Sequence, residues 1–352
     1  MSKQQVSFFW FRRDLRLEDN VGLFHALKSK YTVIPLFIFD DAILDSLPYN
    51  DPRVGFIYEN LSKINTQLLK IESALLVKKG KTLAVWELLL TEFDIKEVFF
   101  NKDYEPYAIK RDSAICELLE TNNAIAFSFK DQVIFEEKEI TKADGLPYTV
   151  YTPFKNKWLE KYKSMAPVLE YDATDVFSNF HKCDFVFPSL EQIGFEKSPI
   201  KVKPHNLKFI ANYQDIRDFP ALDQTSYLSP HLRFGTVSIR KLVNWAFHKN
   251  DVFLSELIWR EFFMQILFSF PKVVTQNFKT AYDGIKWRNN EADFQRWCSG
   301  TTGYPMVDAG MRQLNETGYM HNRVRMVAAS FLCKHLLIQW QWGEAYFAEK
   351  LL

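Results

Sequence analysis

The stretch SELIWREFFMQILFSFP (255–271), followed after a charged interval by CSGTTGYPMVDAGMRQLNETGYMHNRVRMVAASFLCKHLLIQWQW (298–342), decides how this chain is read. A helical period puts Glu256, Trp259, Arg260 and Phe263 on one side of the first segment. An acid, an indole and a guanidinium sharing a face are poor core material, because each needs a partner or water once buried. In the second segment Asn322, Arg325, Met326 and Ala329 fall together in the same way. Two such helices, with a Gly-Tyr-Pro turn at 303–305 between them, read as two walls of a pocket. Two surface helices with ordinary charged faces are the plainer alternative, and the flanking aromatics favour the pocket.

Working outward, 352 residues are enough for two domains with substantial cores. The formal net charge of +1 is uninformative, but its division is not. From residue 201 onward 19 Lys and Arg face 13 Asp and Glu, which leaves 25 against 30 in residues 1–200. A basic second half weakly favours a polyanionic partner. Cys116, Cys183, Cys298 and Cys333 show no paired spacing, so neither a disulfide framework nor a metal site is expected. No apolar run is long enough for a membrane span, and the apolar run before Arg12 is too short for a signal peptide. A soluble, cytoplasmic protein follows as the expectation.

Toward the N-terminus, apolar strands at Val6–Phe11, Tyr31–Phe39, Ala74–Val77, Ile95–Phe100 and Ala124–Phe129 alternate with helical patterns. This predicts an α/β domain with a mostly parallel, Rossmann-like sheet over residues 1–130. No GxGxxG follows the first strand, which argues against a nicotinamide cofactor. RRDLRLEDN (12–20) reads as a structural cluster, its arginines paired with Asp14, Glu18 and Asp19. Residues 131–205 are rich in scattered prolines with little sustained periodicity, and read as a connector. From about Leu207 the spacing is helical, except near 225–230 and 300–305, giving a helical domain over 206–352. Within it, Thr225-Ser226-Tyr227-Leu228-Ser229-Pro230 offers three Ser/Thr hydroxyls in five residues before a helix start, fit either for a diphosphate or for simple capping.

The motifs EXXWRE (256–261), TGYP (302–305) and MHNRVRM (320–326), with RRDLRLEDN and TVYTPFKNKW (149–158), together resemble the photolyase/cryptochrome family, over nearly the whole chain. MHNRVRM is similar to its branch that repairs cyclobutane pyrimidine dimers. The resemblance implies FAD held by Tyr213, Thr225, Ser226, Leu228, Ser229, Arg260, Asn322 and Arg325. It implies a lesion pocket in which Glu256 hydrogen-bonds a flipped thymine pair, Trp259 stacks on it, and Asn322 and Met326 line the cavity. Trp287 and Trp340 match the outer and middle members of an electron-transferring tryptophan chain, whereas Trp86, Trp158, Trp245 and Trp297 read as structural. Arg217 and Arg323 are candidates for DNA phosphate contacts. The implied partner is UV-damaged DNA, bound by a monomer and, in a bacterium, at the nucleoid; no metal is required. A blue-light-sensing cryptochrome without repair is the main alternative, and repair of the (6-4) photoproduct a distant third, since that branch presents histidines where this chain has His321-Asn322.

Three departures matter. Tyr319 stands where relatives often carry tryptophan. Tyr107 and Ala108 replace the polar pair that holds folate, so a deazaflavin, a second flavin or no antenna is expected before folate. The family also continues past Leu352, with the innermost tryptophan, the acid partner of the arginine matched by Arg325 and a second lesion-stacking indole. A fragment of a longer protein, with an incomplete helical domain and weak flavin affinity by itself, is therefore expected.

Overall fold

A computed structural model describes residues 3–352. Strands β1 (Gln5–Phe11), β2 (Thr32–Asp40), β3 (Leu76–Gly80), β4 (Asp94–Asn101) and β5 (Ile125–Phe129) form one parallel sheet in the order β3-β2-β1-β4-β5. Helices α1 (Val21–Leu27), α2 (Pro52–Leu69), α3 (Thr82–Glu92) and α4 (Pro106–Thr121) connect them. The central strand β1 is buried from Val6 to Phe11, as a strand covered on both faces must be. Phe8 and Trp10 each meet Trp86 of α3 edge-on with ring centroids 5.7 Å apart. The run from Ala74 enters the sheet only at Leu76, because Leu75 donates its N–H to Asn65 of α2 at 2.9 Å.

Besides the short helices Asp41–Leu44, Tyr213–Ile216 and Leu228–Arg233, the remaining helices are α5 (Tyr151–Met165), α6 (Ile239–Phe247), α7 (Asp251–Ser269), α8 (Glu291–Ser299), α9 (Pro305–Thr317), α10 (Asn322–Lys334) and α11 (Trp340–Lys350). Thus an N-terminal parallel α/β layer is followed by a mostly helical region. Two local readings need correction. The connector contains α5, whose buried Phe154, Trp158 and Tyr162 lie four residues apart, a helical signal hidden among the prolines. Conversely, 271–290 holds only two short 3₁₀ turns, at Pro271–Val274 and Thr280–Tyr282. Its Val274, Phe278, Tyr282 and Ile285 are exposed, so no buried face stabilises a helix there.

By compactness the chain divides into two units, residues 1–198 with 230–271, and 199–229 with 272–352. In the first, the RRDLRLEDN segment is structural, but its partners lie far along the chain. Arg12 pairs with Asp112, Arg13 with Asp103 and Glu105, and Arg16 with Asp131 at 2.8 Å. Asp14 instead accepts from Arg12 N and from Asn101, while Asp19 and Asp131 are bridged by Arg240. Burial alone would raise the Asp131 carboxyl, and the two guanidiniums outweigh it and hold it below the usual range. Gly235 closes this junction at φ +63°, where a Cβ would stand 2.1 Å from Arg13 O.

The second unit has its own core of Trp297, Met311, Leu314, Val324, Ala328 and Leu332. Gly310 lets α9 approach α10 closely, since a Cβ there would meet Val324 Cγ1 at 2.3 Å. The Thr302-Gly303 turn is held by Asp308, which accepts from Thr302 N at 2.8 Å and Gly303 N at 2.9 Å. All four cysteines are free. Among the described residues no helix is long and apolar enough to cross a membrane.

Candidate functional site

The candidate residues fall on both units. In the first, α7 starts at an Asn250 cap that accepts from Phe253 N. It carries half-buried Glu256, Trp259 and Arg260 on one stripe, with exposed Phe263. Tyr151, the first residue of α5, lies flat on Trp259, with ring centroids 3.5 Å apart and planes 8° from parallel. Its hydroxyl is 2.8 Å from Ser255 O and 2.7 Å from Ser255 Oγ. Arg260 donates to Gln132 O at 2.7 Å and Leu232 O at 3.3 Å. Burial lowers the Arg260 pKa to about 10; Glu261 opposes that shift and the charge of Arg13 adds to it.

Glu261 is the residue to which the sequence reading gives no role. It is 2 % exposed, and accepts from Ile134 N at 2.7 Å, Phe135 N at 3.1 Å and Trp158 Nε1 at 2.7 Å. Burial pushes its carboxyl up to about 7 against the pull of these three donors. An acid following WR in a helix with an otherwise apolar far side is the signal that could have identified it. Glu261 thereby fixes the rotation of α7, and with it the direction of the Glu256–Trp259 stripe, against α5 and the irregular segment at 134–135.

A second feature of this unit is a cavity of about 340 Å³ at the carboxyl ends of β1 and β2. Trp10, Phe37 and Tyr107 supply its apolar wall, and Arg53 and Arg233 are among its cations. Burial, reinforced by Arg13 and Arg53, lowers the Arg233 pKa to about 10. Tyr107 donates its hydroxyl to Asp40 at 2.5 Å, and Ala108 is buried beside it.

In the second unit Tyr213 begins a single helical turn, and the Arg217 guanidinium lies 5.4 Å from its ring centroid. Thr225 and Ser226 are half-buried, Leu228 is buried and Ser229 exposed. The loop is pinned by Asn206 N donating to Ser226 O at 2.8 Å and by Leu228 N donating to Ser226 Oγ at 3.4 Å. Tyr227, at φ +52°, packs edge-on to Tyr319 at 5.0 Å, which brings the hydroxyl loop and the Tyr319 position together. On α10, Asn322 Nδ2 lies 3.9 Å from Met326 Sδ, and both residues are exposed. Arg325 is half-buried; it donates to Met320 O at 3.4 Å while its Nε is buried without a partner, and burial lowers its pKa. That orphaned donor fits a site for an anionic or carbonyl-bearing group.

Arg217 and Arg323 converge on one acid, Asp218, at 3.7 Å and 2.6 Å. Trp340 donates its indole N–H to Asn277 Oδ1 at 2.7 Å. The segment after Trp287 is held beside the one before Trp340, with Arg288 N donating to Leu337 O and Gln339 N to Asn289 Oδ1. Trp86, Trp158 and Trp297 are fully buried core residues, whereas Trp245 is half-buried.

The family model for DNA photolyase matches residues 7–174, and that for the FAD binding domain of DNA photolyase matches residues 253–352. A deoxyribodipyrimidine photo-lyase of Halobacterium salinarum is 35% identical over 381 residues, covering 98% of this chain and 79% of its own. The crystal structure of an archaeal photolyase from Sulfolobus tokodaii, with two FAD molecules and the implication of a novel light-harvesting cofactor, matches with a TM-score of 0.79 at 34% identity, covering 99% of this chain and 79% of that one. A Synechocystis cryptochrome matches with a TM-score of 0.83 at 23% identity, covering 100% and 79%, a likeness of fold alone.

Proposed function

The chain belongs to the DNA photolyase family, and from that premise we propose that it repairs cyclobutane pyrimidine dimers in DNA with light, using FAD. The observation that carries this reading is the joint presence of Glu256 and Trp259 on one stripe of α7 and of Asn322 and Met326 one turn apart on α10. A receptor with no lesion to hold has no use for all four. Tyr213, Thr225, Ser226, Leu228, Ser229, Arg260, Asn322 and Arg325 would hold the cofactor. When bound, reduced and excited, FAD would supply one-electron chemistry at the site these residues form.

The chain's own residues do the rest. Trp259 gives the flipped pyrimidine pair an aromatic platform, worth about 1–3 kcal/mol per stacked base. Glu256 reads its polar edge, and Asn322 and Met326 shape the cavity and exclude water. Arg217 and Arg323 hold the flanking phosphates, which position the DNA without reading its sequence. Trp287 and Trp340 relay electrons. The cavity of about 340 Å³ in the α/β layer would take a planar antenna chromophore, a deazaflavin or second flavin in preference to folate, because Tyr107 is committed to Asp40 and Ala108 offers no polar group.

Dark binding of an oligonucleotide carrying one thymine dimer, against the undamaged strand, tests the lesion assignment. Trp259→Ala should weaken dimer binding about tenfold or more and leave undamaged DNA unaffected. Equal dimer affinity in wild type and W259A would refute the stacking role. Normal flavin binding without dimer discrimination by the wild type would favour the photoreceptor.

A further inference from the structure

The TVYTPFKNKW segment is left without a role by the repair assignment, yet its Tyr151 makes the closest ring contact to the stripe on α7. At 3.5 Å and 8° the phenol covers one indole face of Trp259. The hydroxyl is anchored one turn earlier on the same helix, at both oxygens of Ser255. Three features therefore fix one ring plane: the α7 backbone, the stack, and the Tyr151–Ser255 bonds. Burial raises the Tyr151 pKa to about 12, so the hydroxyl stays protonated and can donate to Ser255 O throughout the working range.

The neighbouring rings do not duplicate this contact. Phe262 meets Trp259 edge-on, at 79° and 5.6 Å. Phe263 is tilted by 22° at 5.3 Å, a separation that makes it a displaced neighbour rather than a full cover. It is also 59 % exposed, so it cannot hold the indole in place. An indole on a helix surface swings freely about its side-chain torsions, and a base that must stack on it has to restrict that motion.

We propose that Tyr151 is a positioning residue for lesion recognition: it backs Trp259 and presets the indole plane on which a flipped pyrimidine dimer stacks. This rests on the lesion role of Trp259 proposed above. Tyr151 touches neither substrate nor cofactor in this scheme and acts through Trp259 alone.

The test is dark binding of dimer-containing and undamaged oligonucleotides by wild type, Tyr151→Phe, Tyr151→Ala, Trp259→Ala and the double variant Y151A/W259A. Thermal unfolding and indole fluorescence are followed in parallel. Y151A should bind the dimer about tenfold more weakly than wild type and undamaged DNA equally well. Y151F, which keeps the ring and loses the anchor, should fall within a few-fold of wild type. In the W259A background, Y151A should cost nothing further, because there is no indole left to position. A Y151A protein that folds and binds the dimer as tightly as wild type, or more tightly, overturns the proposal; tighter binding would mean that the phenol occupies the lesion's face. A loss that persists in full in the W259A background overturns it as well. Failure of the wild type to prefer dimer DNA refutes the lesion reading itself, and the positioning role with it.

Discussion

Asp218 shows how much one residue controls here. Arg217 and Arg323, the two candidates for DNA phosphates, share this exposed acid. In water such a pair contributes little to stability, but it competes with phosphate for the same donors. Asp218→Asn should therefore raise affinity for undamaged DNA a few-fold at low salt and steepen its salt dependence by about one counterion equivalent or more, read by fluorescence anisotropy across a salt series. An unchanged slope would remove Arg217 and Arg323 from the phosphate-binding set. Both arginines stand out in the sequence because they flank chemistry-bearing motifs. Asp218 does not, because one of its two partners, Arg323, lies 105 positions away, and pairing over such a distance leaves no local trace.

At the scale of elements, α7 is set by Glu261. Its folded pKa of about 7 lies above the ordinary glutamate value of 4.5. Between those values the folded state binds more protons than the unfolded one, so this group's contribution falls as pH rises from about 4.5 to 7, at most by about 1.4 kcal/mol per pH unit. Glu261→Gln cannot titrate, and its unfolding free energy should decline less over that window than the wild type's, as denaturant titrations at pH 5, 6 and 7 would read. Parallel curves would mean that Glu261 is ionised throughout, held so by its three N–H donors. The sequence makes α7 and α10 legible, since their stripes combine long periodic runs with polar residues that a core would reject. It makes the parallel sheet legible too, because buried strands read as continuous apolar runs. The partners of Arg12, Arg13 and Arg16 are not legible: nearby acids compete in the sequence with Asp112, Asp103 and Asp131, and only the fold chooses between them. Helix α5 is obscured by proline-rich surroundings although Phe154, Trp158 and Tyr162 keep its period.

For the whole molecule, residues 230–271 join the α/β layer through buried charge rather than through sequence proximity. Arg240 reaches Asp19 and Asp131, and Gly235 allows the chain to pass against Arg13 and Asp14. Gly235→Ala would force a clash at a left-handed position and should cost about 2 kcal/mol or more, seen as a lowered unfolding midpoint. An unaltered midpoint would show that the junction yields at little cost. Light-dependent loss of a single thymine cyclobutane dimer from an oligonucleotide tests the repair assignment most directly, with the flavin-loaded protein reduced and a dark sample run alongside. Repair is expected under blue light and not in the dark. Intact dimers after illumination, with flavin bound and reduced and the oligonucleotide bound, would contradict it.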